Sequence, residues 1–573
     1  METLDSWYRR EVYSWRTGAA VGWTLLLQPC VLAMYLIFCT LDISHPLSWI
    51  AGSLSMMFST QYMFMVVVLT LVSGVLGVLM SSSYTVVPDI PLTRLHGLVQ
   101  LLLPARLLRC LMYLVSGAVT AWVCTSCIGD RYSSLIIKSD SNDRDVYYLN
   151  EYHLFLVVYG MYSGVMYNIT MYIHQNNLIQ FPVLEQAKFF QVRSRLYNEF
   201  LKSLSYSLWH TAYFYPFYWM FGHIPKDFVL HHTTALSCET ALNSVWGLLD
   251  LFLLYQTFLC GVFLYLTWTV SSVLYKIYNT EHYAFPVEDV FDDQKNKCLV
   301  DALSCKTNSL LQCLGFYDVC HLSRKSGVRR SVVFSLSQPG GHPHNWNKLY
   351  TACVAEVNAL NQKVQEANWK VFASVPVRQA SGDKNVPQTY TGEKTATTLS
   401  YRGASAVTNG DGPTPPTDKP VSNLQTFKDL TLQYLKKKPV FSYFLSELPD
   451  SKSRKLFATC QIQVWAVEAL SNFATASYSD DKYGVVQRSL PEIITAVVNL
   501  QENVEKHFKL ATTTSRRNQK DLGHNDTQLG YLLQTTLKSS MYKVVNTFGK
   551  HILSLNLSPE CVRKLRLFMD YKE

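Results

Sequence analysis

The sequence predicts an all-α polytopic membrane protein, with six transmembrane helices in its first half followed by a mainly helical cytoplasmic domain. Three observations predict it. Six long apolar runs crowd the first half of the 573 residues and none occurs in the second. Lysine and arginine are unevenly shared among the loops between those runs, and apolar residues at helical spacing return in the second half. The overall 48% of hydrophobic residues hides this partition because it averages two different halves.

A hydrocarbon core about 30 Å thick needs roughly 20 apolar residues of helix. Six stretches meet that need within a first domain of residues 1–274: residues 19–41, 58–80, 107–128, 153–173, 204–221 and 248–274. The first has an apolar core of about 22 residues, against the roughly 7–15 of a signal peptide, and no small-residue cleavage site precedes His45 and Pro46. It reads as a retained helix. The fifth carries His210 and Pro216, and its Trp209, Tyr213, Phe214, Phe217, Tyr218 and Trp219 suit a helix that ends in the interfacial aromatic belt.

Positive charge is retained on the cytoplasmic side of short loops. The N-terminal segment holds Arg9, Arg10 and Arg16, the second loop Arg94 and Arg106 with Arg109 at the helix edge, and the fourth Lys188, Arg193, Arg195 and Lys202. The first loop has no such residue and the fifth only Lys226. In the third loop Arg131, Lys138 and Arg144 are outnumbered by Asp130, Asp140, Asp143, Asp145 and Glu151, and acidic residues count little in this rule. Both termini, and the chain from about Tyr275 onward, are therefore expected in the cytoplasm.

That second half divides into a proximal region at 275–373, a linker at 374–423 and a distal helical region at 424–573. In the proximal region Trp346, Leu349, Tyr350, Cys353, Val354, Val357, Leu360 and Val364 give one helix with a buried face. Alternating Val333 and Ser335 make residues 331–336 strand-like, ending in the turn formers Pro339, Gly340 and Gly341. Residues 374–423 are rich in Ser, Thr, Gly, Pro and Asn, too poor in apolar surface to offset chain entropy, and read as disordered. Beyond them, helical periods cover 456–473, 491–508 and 529–553, and a last helix starts at Ser558 and Pro559, a capping serine with proline at the first helical position.

No constellation for catalysis, cofactor or metal stands out. The chain lacks a GxxxxGK[ST] loop, a GxGxxG turn between strand and helix, an HExxH helix and a GxSxG elbow. Most of its 14 cysteines fall in membrane helices or in the half assigned to a reducing compartment, so disulfides are not expected. Cys124 and Cys127 form a lone CxxC without a second ligand pair nearby in the sequence, while Cys298, Cys305, Cys313 and Cys320 step by seven and eight along what reads as one buried helix face. The net charge of +9 is scattered. Lys436, Lys437 and Lys438 sit at a helix C-terminus before Pro439, and Arg516, Arg517 and Lys520 in a polar loop, which favours weak attraction to anionic lipid over direct nucleic-acid binding.

A channel or transporter, the alternative reading, needs ionisable residues facing one another in mid-membrane. Asp250, Glu151 and His153 lie near span ends and only His210 is deep, so no ion path is built. A lipid enzyme would need an acidic partner for a residue such as His96, and none lies within a few positions. The spans instead show small-residue spacing. Gly160 and Gly164 form a GxxxG, and Ser73, Gly77 and Ser81 recur every four residues; packing within one bundle is the plain use, self-association the sharper one.

Local motifs sharpen the picture. Phe181-Pro182-Val183 stands in the basic fourth loop, and after the spans Leu314-Gly315-Phe316-Tyr317-Asp318-Val319 precedes Arg329-Arg330-Ser331-Val332-Val333-Phe334-Ser335, then Pro339-Gly340-Gly341 and Asn345-Trp346. In order and spacing these segments resemble the nuclear division cycle (Ndc) family of transmembrane nucleoporins, whose topology of six spans and a cytoplasmic C-terminal half matches nearly the whole chain. The resemblance implies no enzyme. It implies a protein of the nuclear envelope that anchors the nuclear pore complex in the pore membrane, touches nuclear membrane lipids and other pore-membrane proteins, and supports pore assembly. It also implies recruitment of soluble nucleoporins, among them the propeller protein aladin and a membrane-binding nucleoporin with an RNA-recognition-type fold. The motif positions Phe181, Pro182, Asp318, Arg329, Arg330 and Trp346 are expected to be structural or partner-binding. Arg329 and Arg330 are expected to pair with Asp318 inside the domain, and Trp346 to belong to the core.

Overall fold

A computed structural model of the chain describes residues 3–570, apart from 43, 140–145, 183–184, 234–236, 239–241, 243–244, 289–296, 337, 339, 375–438, 449–450 and 515–524. Its first half comprises α1 (Leu4–Cys39), α2 (Pro46–Met57), α3 (Thr60–Ser81), α4 (Arg94–Leu101), α5 (Pro104–Thr125), β1 (Ile136–Ser139), β2 (Val146–Leu149), α6 (Glu151–Ile173), α7 (Lys188–Phe221), α8 (His223–His232), β3 (Ser237–Cys238) and α9 (Leu251–Asn279). Five of these helices, α1, α3, α5, α6 and α9, are long and apolar enough to cross a membrane. Residues 204–221 form the C-terminal part of α7, a helix of 34 residues and thus about 51 Å in length. The Ser, Tyr, Trp, His210 and Pro216 of residues 204–221 lower their own apolar character, and the helix does not join the five.

Caps explain where several helices begin. The Ser59 hydroxyl accepts from Tyr62 N at 3.1 Å, Asn150 Oδ1 from Tyr152 N at 3.1 Å and Asp250 Oδ1 from Phe252 N at 3.0 Å. Each satisfies an amide that the first helical turn leaves unpaired.

Close packing in the bundle is set by glycines. Where α5 crosses α6, Gly117 and Gly160 meet backbone to backbone. A Cβ on Gly160 would lie 2.5 Å from the Ala121 Cβ, and one on Gly164 2.8 Å from the Leu114 amide nitrogen. Both glycines of the GxxxG are thus used within the chain. Gly77 faces α1, with Val21 Cγ2 3.1 Å from where its Cβ would be, and Ser73 lies half-buried one turn away. The Ser81 carbonyl accepts from Tyr13 Oη at 3.1 Å and Tyr275 Oη at 3.0 Å, gathering α1, α3 and α9 at one end of the bundle.

The loop between α5 and α6 is not plain loop. Strands β1 and β2 pair antiparallel, Ile136 opposite Leu149, and β3 adds in parallel, Tyr148 opposite Ser237. The alternation in 146–149 is too short to have marked a strand in the sequence.

The second half comprises α10 (Leu299–Ser304), α11 (Ser309–Lys325), α12 (Gly327–Val333), α13 (His344–Ser374), α14 (Pro439–Leu445), α15 (Ser451–Phe457), α16 (Gln461–Asp480), α17 (Leu490–Thr514), α18 (Asn525–Phe548) and α19 (Pro559–Met569). Two expectations are corrected. The strand-like stretch at 331–336 forms no strand: residues 331–333 end a helix and 334–336 leave it in a turn, because Ser326 caps α12 through Arg329 N and Val333 turns into the core. The four spaced cysteines do not share one helix face, since residues 305–308 separate α10 from α11 and Asn308 caps the latter. Cys313 and Cys320 alone lie together on α11, both buried. The expected linker, Ser374 excepted, lies outside the described residues, as do Lys436–Lys438, Arg516, Arg517, Lys520, Val183 and Pro339.

One hydrophobic core joins helices on both sides of that linker. Leu314 and Val319 of α11, Trp346 and Val357 of α13, Ala466 and Phe473 of α16 and Leu500 of α17 share it. Tyr8, Ala20, Leu274 and Tyr275 of the bundle belong to it as well. The bundle and the second half are therefore packed on each other, not only tethered.

Substitution should separate glycines that pack from those that do not. Gly164→Val places methyls against the α5 backbone and should lower the full chain's stability in detergent by about 1–3 kcal/mol or more. Gly18→Ala meets nothing within 4 Å and should leave the melting temperature unchanged.

Candidate functional site at the junction of the two halves

Where the chain leaves α9 it runs into a charged node. Asp318, on α11, is fully buried. Arg329 at the start of α12 reaches it with a fork, Nη1 donating to Oδ1 and Nη2 to Oδ2, each at 2.7 Å. His282 Nε2 lies 2.8 Å from Oδ1, Phe285 N donates to Oδ2 at 2.9 Å, and Arg329 Nη2 also donates to the Phe285 carbonyl at 2.7 Å. Burial pushes the Asp318 carboxyl up, but the bonds from Arg329, His282 and Phe285 outweigh it and hold the group below its ordinary value. Asp318 is thus an ionised carboxylate with donors on both oxygens.

The neighbouring arginine works elsewhere. Arg330 Nη2 and Nε donate to Asp480 Oδ2 at 3.0 and 3.1 Å, and Nη1 donates to the Ser323 carbonyl at 3.1 Å, so α12 is bound to α16 as well as to α11. Trp346 is fully buried, its Nε1 donating to Ser489 Oγ at 3.0 Å and its ring 5.7 Å from that of Phe473. Phe181, half-buried beside Pro182, packs its ring against Tyr317 at 5.6 Å and edge-on against Trp465 at 5.1 Å. The structure gathers all these motif positions at the junction, apart from Trp346, which lies deeper in the second half.

Residues that the sequence did not mark complete the junction. Glu185 accepts from Tyr317 Oη at 3.1 Å, pairs with Lys325, and lies 3.3 Å from His321 Nε2. The His282 and His321 rings lie 4.1 Å apart, tilted by 34°. Nothing in the local sequence links Glu185 to residues over a hundred positions away; the pairing exists only through tertiary packing. On the opposite end of the bundle Glu151 and Lys226 form a buried ion pair, and Arg131 meets Asp250 at 3.2 Å.

Could the node hold a metal? Ligand atoms of His282, Asp318 and His321 lie within 4.8 Å of one another. Both Asp318 oxygens, however, already accept the Arg329 fork, and a cation there would face a fixed guanidinium. The donor set fits an ion-pair lock better than a metal centre. The CxxC cysteines tell a similar story. Cys39 and Cys260 come near Cys124 from other helices, but among the described residues these cysteines are not gathered as one ligand set: Cys39 Sγ donates to Gln256 Oε1 at 3.2 Å and Cys127 packs on the Met65 sulfur at 3.1 Å.

Comparison with known proteins identifies the family. The family model described as Nucleoporin protein Ndc1-Nup matches residues 11–566. The chain belongs to the Ndc1-Nup family. Curated relatives named Nucleoporin NDC1 include that of Xenopus laevis, 31% identical over 98% of this chain and 99% of the relative, and that of Danio rerio, 30% identical over 99% of each. Nucleoporin Ndc1 of Drosophila melanogaster is 24% identical over 85% of this chain and 87% of its own length. Family membership makes the chain a structural nucleoporin and not an enzyme.

Breaking the fork tests the node. Arg329→Ala leaves Asp318 buried without its main counter-charge and should cost about 3–5 kcal/mol in unfolding of the full chain. Arg329→Lys should recover only part of this, because a point charge cannot serve both oxygens.

Acid should weaken the same junction. Burial first, and then the neighbouring His282, hold the His321 imidazole below its ordinary value. The unfolded chain then binds more protons, so stability falls as the pH drops below about 6.5 towards the depressed folded value. Between pH 7 and 5 the wild type should lose more melting temperature than His321→Asn.

Proposed function

We propose that this chain anchors the nuclear pore complex in the pore membrane with six spans, both termini and the whole second half lying on the cytoplasmic side. The observation that carries the reading is the shared core: apolar residues of α1 and α9 pack in one cluster with α11, α13 and α16. A load on the second half is thereby passed to membrane helices through packed side chains and not through a flexible tether. The sixth span is the C-terminal part of α7, which packs along α9 and exposes Leu208, Trp209, Tyr213, Trp219 and Met220. An even number of spans returns the chain to its starting side, in agreement with the basic loops.

In this reading Asp318, Arg329, Arg330 and Trp346 hold the shape of the surface that recruits soluble nucleoporins, while Phe181 and Pro182 seat the fourth loop on it. Aladin, a membrane-binding nucleoporin with an RNA-recognition-type fold and other pore-membrane proteins are the partners that the family resemblance implies. Support of pore assembly follows from the same anchoring role. The channel alternative gains nothing from the structure. His210 Nδ1 lies 2.6 Å from Tyr265 Oη, and a cavity of about 20 Å³ lined by Gly77, Tyr113 and Trp268 has room for about one water.

The reading is tested by tagging the full chain at its C-terminus at the endogenous locus. Punctate nuclear-rim signal coincident with a pore marker, co-purification of soluble nucleoporins and protease access to the tag from the cytoplasm are expected. A reticular signal without rim enrichment, or a tag protected inside the lumen, contradicts it.

A further inference from the structure

The helix α4 has two unlike sides. Its polar side is fastened to the last turn of α6, where Tyr172 Oη donates to Gln100 Oε1 at 2.8 Å and lies 3.2 Å from the Gly97 carbonyl. Gln100 Nε2 donates in turn to Asp89 Oδ1 at 3.0 Å. Arg106, in the first turn of α5, donates from Nη2 to Asp89 Oδ2 at 2.7 Å, with its guanidinium 4.3 Å from the Tyr172 ring. Leu95, Leu98, Val99 and Leu102 are all exposed, Leu102 to 68%. A helix turns by about 100° per residue, so steps of three, one and three keep these four on one side, opposite Gly97 and Gln100.

The depth of α4 follows from its neighbours. With 22 and 23 residues, α5 and α6 are about 33–35 Å long, little more than a hydrocarbon core of about 30 Å, so their ends lie at its edge. Tyr172 bonds α4 to the end of α6, and Leu102 and Leu103 alone join it to the start of α5. Leu107 N donates to the Leu103 carbonyl at 2.9 Å, which sets Leu103 one turn before Leu107 on the side of α5 that exposes Leu107, Leu108, Leu111 and Val115. Through Leu102 and Leu103, both exposed, the apolar surface of α4 runs on into the flank that the span turns to lipid.

No charged residue interrupts this surface between Arg94 and Arg106. Arg94 is engaged with the second half: Nη1 donates to the Tyr443 carbonyl at 3.1 Å and to Ser446 Oγ at 2.9 Å, and the guanidinium lies 4.2 Å from the Tyr443 ring. Just beyond, Leu448 N donates to the Leu92 carbonyl at 2.9 Å. These bonds tie α14 to the N-terminal end of α4.

We propose that α4 lies along one leaflet of the membrane, with Leu95, Leu98, Val99 and Leu102 among phospholipid acyl chains just below the headgroups, and so holds α14 of the second half at the bilayer surface. The partner is lipid and not a soluble protein, because the exposed stripe is continuous with the lipid-facing flank of α5. Its lack of charge makes the sign of the headgroup immaterial. The inference goes beyond the anchoring role and does not depend on which side of the membrane either terminus occupies.

The test uses the purified full chain in nanodiscs of dioleoylphosphatidylcholine, with p-benzoylphenylalanine in place of Leu98, of Leu111 on the span or of the exposed Lys363 on α13, and photoproducts read by mass spectrometry. Position 98 should form phosphatidylcholine adducts within about threefold of the yield at 111 and at least about tenfold above that at 363. An equal mixture with dioleoylphosphatidylserine should leave the total lipid yield at 98 unchanged. Cross-links from 98 to the chain itself in place of lipid, a lipid yield no higher than at 363, or a yield that needs phosphatidylserine overturns the proposal. In Arg94→Ala the adduct at 98 should persist while amide exchange across residues 440–448 speeds up about tenfold, as for the loss of one hydrogen bond from a charged group. Unchanged exchange there overturns the hold on α14.

Discussion

Asp318 is a carboxylate shut away from water, and a charge so placed costs several kcal/mol unless its partners are fixed. Here the node joins three parts of the chain: His282 and Phe285 from the segment leaving α9, Asp318 from α11 and Arg329 from α12. None of the three segments can shift without stranding the charge. The exit of the last membrane helix is thereby set in one orientation against the second half, and the surrounding apolar contacts of Phe181, Tyr317 and Trp465 pack around that arrangement. A buried ion pair adds little to net stability compared with apolar residues of similar shape, so its use here is to specify geometry.

The bundle reaches a fixed shape by a different route. Lipid offers no hydrophobic incentive for helices to associate, so close backbone approach has to supply the attraction. Gly117, Gly160 and Gly164 provide it between α5 and α6, while Tyr13 and Tyr275 converge on the Ser81 carbonyl from two other helices. That convergence lies at the end of the bundle where Tyr275 joins the core of the second half. Dispersion and hydrogen bonding in the membrane are thus continuous with hydrophobic burial outside it.

Much of this was legible in the sequence because its signals are local. Apolar run length marked the five helices long and apolar enough to cross a membrane, 3.6-residue spacing marked α13, α16 and α17, and Ser558 followed by Pro559 marked the start of α19, where Ser558 Oγ accepts from Cys561 N at 3.4 Å. Alternation over a few residues misled at 331–336, since Ser326 as cap and Arg329 and Arg330 as tertiary ties decide the matter in favour of helix. Period alone also failed for the cysteines at 298–320, where Asn308 starts a new helix in mid-pattern. In the site, Asp318, Arg329 and Arg330 were marked as a set, but Arg330 turned to Asp480, 150 positions away. The Glu185 contacts and the pairing of Glu151 with Lys226 were invisible for the same reason: no spacing rule connects residues brought together by the fold.

In the proposed anchoring role the second half is held firmly to the membrane helices, and the Asp318 node fixes the geometry of that hold beside the shared core. Fluorescence recovery after photobleaching of the tagged full chain at the nuclear rim measures it directly. Wild type should recover slowly, and Arg329→Ala, at matched expression, should recover faster and lose rim enrichment, since its second half is held less firmly against the membrane helices. An Arg329→Ala chain as immobile and as rim-enriched as wild type would contradict the coupling of the two halves through this node.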